Sequence, residues 1–122
     1  MLTVYKNKRA FGALGERLVA QHLEQKGYTI VSQNYQKRYG EIDIIAQKKR
    51  ELLFVEVKLR NTPYFDSAQL ITPAKQKKII TVAKDYIARY TDGTYNCRFD
   101  VALLDSTDKE PQITYLPNAF SE

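Results

Sequence analysis

Apolar and polar positions alternate along this chain in two distinct rhythms, and the switches between them mark out its elements. Residues 10–26 follow the helical period. Arg17, Gln21, Glu24 and Gln25 fall on one side, and Phe11, Leu18, Val19, Ala20 and Leu23 on the other. Gly27 follows as a stop signal, because a glycine tolerates the left-handed backbone that ends many helices. Residues 28–35 alternate as a strand. Residues 41–47 and 51–59 are two further β-rich segments around Lys48-Lys49-Arg50, which predicts a hairpin. Thr72-Pro73 supplies an N-cap and a proline at the first helical position. The helix it opens runs to about Tyr90, with Ile79, Ile80, Ala83, Tyr86, Ile87 and Tyr90 as its inward stripe, and Asp92-Gly93 ends it. Residues 97–104 and 112–116 read as two last strands, joined by the turn-rich stretch 105–111. The expected order is α-β-β-β-α-β-β, an α/β fold with a central mixed β-sheet flanked by helices.

Composition narrows the setting. A chain of 122 residues fits a single domain with one core, spanning residues 1–122. No apolar run reaches the roughly 20 residues a membrane helix needs, so no membrane partner is expected. Met1 to Arg9 lacks the apolar stretch of a signal peptide. Cys97, the single cysteine, can form neither an internal disulfide nor a cysteine metal cage. The expected compartment is the cytoplasm. The net charge of +5 points weakly to a polyanion. Its distribution says more. Basic residues cluster at Lys6-Asn7-Lys8-Arg9, Lys37-Arg38, Lys48-Lys49-Arg50, Lys58-Leu59-Arg60 and Lys75-Gln76-Lys77-Lys78, whereas Asp105, Asp108, Glu110 and Glu122 come late.

The hairpin carries the candidate chemistry. If Gln47 faces Leu52, then Ile45 faces Phe54, Asp43 faces Glu56 and Glu41 faces Lys58. Glu56 and Lys58, two apart on a strand, share a face. Opposed residues of an antiparallel pair also share a face, so Asp43, Glu56 and Lys58 converge. Two carboxylates about 5 Å apart repel by roughly 3 kcal/mol at an effective dielectric near 20. Lys58 relieves part of this, and a divalent cation would relieve more. Hard oxygen ligands suit Mg²⁺ or Mn²⁺. The plain alternative is an exposed Glu-Lys strand face, and a slip of one residue would separate the pair.

Each helix adds an inward polar residue. Glu16 falls between Leu23 and Ala20 on the first helix and is a candidate third carboxylate of the metal site; its alternative is a surface pair with Arg17 or Lys26. Gly12 and Gly15 on the same arc would let that helix approach the sheet closely. Gln76 lies in the first turn of the second helix, either as a cap or as a group orienting the attacked phosphate. His22 reads as a packed helix residue, since no second histidine exists to share a ligand. Tyr35, Tyr39 and Tyr64 lie near basic residues and either pack or stack on bases.

With these positions assembled, Gly40-Glu41-Ile42-Asp43-Ile44-Ile45-Ala46 and Leu53-Phe54-Val55-Glu56-Val57-Lys58-Leu59-Arg60 resemble the signature of the YraN-like uncharacterised bacterial family. The similarity extends through Gly15-Glu16, Gly27-Tyr28, Lys75-Gln76 and Arg98-Phe99-Asp100-Val101. That family is assigned to the restriction-endonuclease-like PD-(D/E)XK superfamily and is similar to archaeal Holliday-junction resolvases. The resemblance implies catalytic roles for Asp43, Glu56, Lys58, Glu16 and Gln76. It implies a metal site of Asp43, Glu56, Glu16 and the carbonyl of Val57 holding Mg²⁺ or Mn²⁺, DNA or another nucleic acid as partner, and a homodimer. One departure is clear: the proline before the motif aspartate is Ile42 here. Arg60 and Arg98 are expected phosphate clamps, Arg98 alternatively bridging to Asp100, and Lys37, Arg38 and Lys75 are expected to track the backbone. The expected function is a metal-dependent endonuclease hydrolysing phosphodiester bonds in DNA, branched DNA included. A non-catalytic nucleic-acid-binding protein of the same fold, or an interaction module of a DNA-processing complex, is the alternative.

Overall fold

The computed structural model describes residues 8–60, 71–105 and 111–122. The elements run α1 (Lys8–Gln25), β1 (Thr29–Lys37), β2 (Gly40–Lys48), β3 (Glu51–Arg60), α2 (Pro73–Tyr90), β4 (Asn96–Asp105) and β5 (Gln112–Phe120). This is the expected α-β-β-β-α-β-β order. The five strands form one sheet in the order β1-β2-β3-β4-β5. All neighbours are antiparallel except β3 and β4, which run parallel with α2 on the connection between them. A parallel pair needs such a crossover, because its second strand must restart at the same end of the sheet.

Side chains on successive residues of β3 feed opposite layers, and both layers are covered. Leu52 and Phe54 pack under α2 with Ile45, Ile79, Val82, Ala83 and Val101. Leu53 and Val55 pack under α1 with Val19, Ala20, Leu23, Ile44 and Ala102. That two-sided burial explains why Leu52-Leu53-Phe54-Val55 is a continuous apolar run rather than an alternating one. At roughly 1.5–3 kcal/mol per buried side chain, this central strand anchors the domain.

Local signals hold the ends. Gly27 has a φ of +94°, and the N–H groups of Gly27 and Tyr28 donate to the carbonyls of Glu24 and Leu23, closing the last turn of α1. Thr72 caps α2, its hydroxyl oxygen accepting from the Lys75 N–H. Gly15 faces the sheet so closely that an added Cβ would lie 2.5 Å from Leu104 Cδ2.

Three expectations change. The hairpin loop is a tight two-residue turn, with Lys48 paired to Glu51 and Lys49 at a φ of +56°. Val82 is fully buried on α2, whereas Tyr90 is 62% exposed and meets Tyr35 edge to face and Tyr86 at a tilt. Strand β5 continues past Pro117 to Phe120. It is an edge strand, so the missing N–H of Pro117 can face away from the ladder. The Arg60 side chain, Lys6 and Asn7, the side chains of Lys8, Arg9 and Phe11, and Tyr64, Asp108 and Glu110 lie outside the described residues.

Candidate metal and phosphodiester site

Strand β2 lies between β1 and β3, and its pairing with β3 stops beside Asp43. Toward β3 the register runs from Lys48↔Glu51 to Ile44↔Val55 and stops there, while β3 continues beside β4 to Arg60↔Asp105. Toward β1, Gln33↔Ile44 and Tyr35↔Ile42 flank Asn34, whose φ is +53°. The expected register therefore holds up to Ile44, but Asp43↔Glu56 and Glu41↔Lys58 are not ladder pairs. At this fork the Asp43 side chain replaces the ladder: its Oδ2 accepts the Val57 N–H at 2.8 Å. The two strands part, and the carboxylate is fixed between them.

Asp43 and Glu56 are 8% and 7% exposed, which makes them, with Asp100, the buried charged residues of the described structure. Burial, then the charge of Glu56, push the Asp43 pKa up to about 7; the Val57 N–H opposes this, and Glu16 and Glu41 add to it. A cation is already present. Lys75 Nζ lies 2.9 Å from Glu56 Oε1. Burial works against its charge, but the hydrogen bond to Glu56 and the charges of Glu56, Asp43 and Glu41 raise the Lys75 pKa overall. The ammonium expected to follow a nucleic-acid backbone thus sits on the acidic pair.

The other expected site residues are placed as follows. Glu16 is half-buried on α1, and its Oε2 accepts from Asn34 Nδ2 at 3.2 Å. Burial raises its pKa, the Asn34 bond lowers it, and Glu41 and Glu56 raise it further. Glu16 is thus within electrostatic reach of the pair. Among the described residues, however, no group of three or more Asp, Glu, His or Cys is close enough to hold a metal ion. Lys58 is half-buried two positions beyond Glu56, opposite Leu103 of β4. Gln76 donates from Nε2 to the Ile71 carbonyl at 3.0 Å, bracing the entry to α2.

Arg98 takes the alternative weighed for it. Its Nε and Nη2 each donate to the fully buried Asp100 at 2.9 Å, and its Nη1 lies 3.3 Å from Glu51. Tyr115 and the Asn118 N–H complete the Asp100 shell. This network belongs to the fold. Lys37 is 3.4 Å from Asp85 and over the Tyr35 ring, while Arg38 is exposed. His22 packs at 5.5 Å from the Tyr115 ring, its Nε2 buried without a hydrogen bond.

Sequence reasoning missed Asn34. The available signal was an asparagine inside a strand, a residue poor in β-propensity yet tolerant of the left-handed region.

Oxygen donors remain for a hard cation. Asp43 Oδ1 and Glu56 Oε2 carry no hydrogen bond from the described residues, and the Val57 carbonyl belongs to the residue that follows Glu56 and whose N–H meets Asp43. Magnesium commonly takes one or two carboxylates and keeps several waters, so the pair fits such an ion.

The Holliday junction resolvase Hjc of Archaeoglobus fulgidus shares the fold, with a TM-score of 0.54 at 19% identity over 83% of this chain and 74% of that one. A UPF0102 protein of Alkaliphilus metalliredigens is 43% identical over 92% of this chain and 98% of its own length. Another from Treponema pallidum subsp. pallidum is 40% identical over 96% and 97%. Residues 15–104, which run from the helix bearing Glu16 through Asp43 and Glu56 into β4, match the profile of the uncharacterised protein family UPF0102, and this chain belongs to that family.

Proposed function

We propose that the protein is a divalent-metal-dependent endonuclease that hydrolyses phosphodiester bonds in DNA, branched DNA included. The observation that carries this reading is the buried Asp43–Glu56 pair at the fork of β2 and β3, held by the Asp43–Val57 N–H bond. The resemblance to the PD-(D/E)XK pattern and the fold shared with a resolvase support it.

Asp43, Glu56 and the Val57 carbonyl would hold Mg²⁺ or Mn²⁺, with Glu16 supplying further negative field. The bound ion would supply Lewis-acid stabilisation of the phosphate and a lowered pKa for bound water. Lys58, on the strand beside them, neutralises the charge that builds on the phosphate. Lys75 neutralises Glu56 in the metal-free chain and can turn to a phosphate oxygen when that carboxylate is engaged. Gln76 supports the site by holding the start of α2. Binding without turnover is the second reading, favoured by the ammonium already seated on Glu56.

Purified protein incubated with single-stranded, duplex and four-way-junction DNA in Mg²⁺ or Mn²⁺ decides between them. Cleavage is expected, and Asp43→Ala, Glu56→Ala and Lys58→Ala should reduce it by at least about 100-fold while the fold persists. Tight DNA binding with no cleavage of any substrate would establish the second reading and end the first.

A further inference from the structure

The turn between β1 and β2 presents an exposed aromatic ring four residues before Asp43. Tyr39 is 45% exposed, next to the exposed Arg38. Its neighbour Gly40 is braced on α2: a Cβ there would lie 3.3 Å from Val82 Cγ2 and 3.5 Å from Lys78 Cβ. The turn is thus held against the helix and its tyrosine stays at the surface. Other tyrosines of this layer find partners. Tyr35, Tyr86 and Tyr90 meet one another edge to face or tilted. Among the described residues, Tyr39 has no ring contact, hydrogen bond or ion pair.

Its surroundings give that free ring a context. Tyr39 precedes Asp43 by four residues, about 13 Å of extended chain at roughly 3.3 Å per residue. Lys75 and Lys78, both exposed, are three apart on α2 and share a face. Lys78 packs by the turn, and Lys75 reaches Glu56. A basic edge therefore links the aromatic ring to the buried carboxylates.

We propose that Tyr39 is a stacking platform for an unpaired nucleobase, so that the site takes DNA with exposed bases, such as a single-stranded arm or a fork, in preference to closed duplex. The inference rests on the nucleic-acid reading of the site and specifies its substrate class. Inside a duplex both faces of a base are covered by its neighbours, so a protein ring reaches one only when the base is unpaired and splayed out. Lysines hold the backbone of either form without distinguishing them. Selectivity for unpaired DNA then falls to the ring.

The chain contains no tryptophan, so Tyr39→Trp creates a single fluorescent reporter at this position. Titrated in EDTA, that variant should be quenched by single-stranded and forked oligonucleotides. Blunt duplex should bind, by fluorescence anisotropy of a labelled strand, with little quenching. Tyr39→Ala should weaken single-strand binding by roughly 5- to 150-fold, the range expected for one stacked base, with duplex binding little changed. Tyr39→Phe should retain the wild-type preference. The inference is overturned by absent quenching, by equal losses on both forms of DNA, or by a phenylalanine variant that behaves like alanine. These are binding readouts, so they separate from the proposed turnover. Stacking without cleavage would sink the nuclease and keep Tyr39; cleavage of all substrates, indifferent to Tyr39→Ala, would do the reverse.

Discussion

Asp43 combines two demands that conflict in the metal-free chain, since its carboxylate accepts the Val57 N–H yet is buried beside Glu56. Its ordinary pKa near 3.9 applies to the unfolded state, against about 7 in the folded one. Between those values the folded state binds more protons, so this group's contribution to stability is full below about pH 4 and is lost as pH rises through about 7. Asp43→Asn keeps an acceptor for Val57 and removes the charge. In EDTA at about pH 8 it should be more stable than wild type by about 1–3 kcal/mol, with the gap closing near pH 5, as read by urea unfolding. A variant less stable than wild type at both pH values would refute that account. Arg98 is the opposite case, a charge whose partner cannot do without it. Arg98→Ala leaves the fully buried Asp100 without its guanidinium and should cost about 3–5 kcal/mol by the same measurement. The sequence showed that Arg98 and Asp100 share a strand face, but a phosphate clamp and a salt bridge need the same spacing. Only the fit of Tyr115 and Asn118 around Asp100 separates them.

The helices and the hairpin were readable because their signals are local. Gly27 and Thr72-Pro73 act within one turn of chain, and both do what their residue types predict. Gly27→Ala should cost about 1 kcal/mol in thermal or urea melts, because a side chain at a φ of +94° is strained. An unchanged melt would mean that α1 can end in another geometry. The hairpin register was set by its apolar pattern as far as Ile44↔Val55 and departed from it where β2 leaves β3. Val82 and Tyr90 were misjudged for a related reason. A helical stripe says which residues share a face, whereas the extent of the sheet beneath decides which of them are covered.

Across the molecule, the parallel pairing of β3 with β4 places α2 over the face carrying Glu56 and brings Lys75 onto that carboxylate. Four acidic residues, Glu16, Glu41, Asp43 and Glu56, then act on one another from α1, β2 and β3. Such a field favours cations, and binding stabilises the folded state in proportion to occupancy. Mg²⁺ or Mn²⁺ at about one hundred times its dissociation constant should add about 2.7 kcal/mol, several degrees in thermal melting. The shift should be larger at about pH 8 than at pH 6, since protonated Asp43 is a poor ligand, and absent in Asp43→Ala. No shift at millimolar metal would count against the metal site. No helix among the described residues is long and apolar enough to cross a membrane.

The sequence by itself determined the element order, the stop of α1 at Gly27, the start of α2 at Thr72-Pro73 and the candidacy of Asp43 and Glu56. These follow from periodicity and from residue chemistry acting over a few positions. Tertiary structure alone decided that Asp43 bonds the Val57 N–H rather than facing Glu56 in a ladder, that Lys75 rather than Lys58 is the ammonium on Glu56, and that Asn34 holds Glu16. It also decided that Arg98 serves Asp100. The first three contacts join different elements, so they depend on how strands diverge and where a helix crosses them, and no local pattern encodes that; Arg98 and Asp100 are neighbours on β4, and it is Tyr115 and Asn118 of β5 that close around the carboxylate.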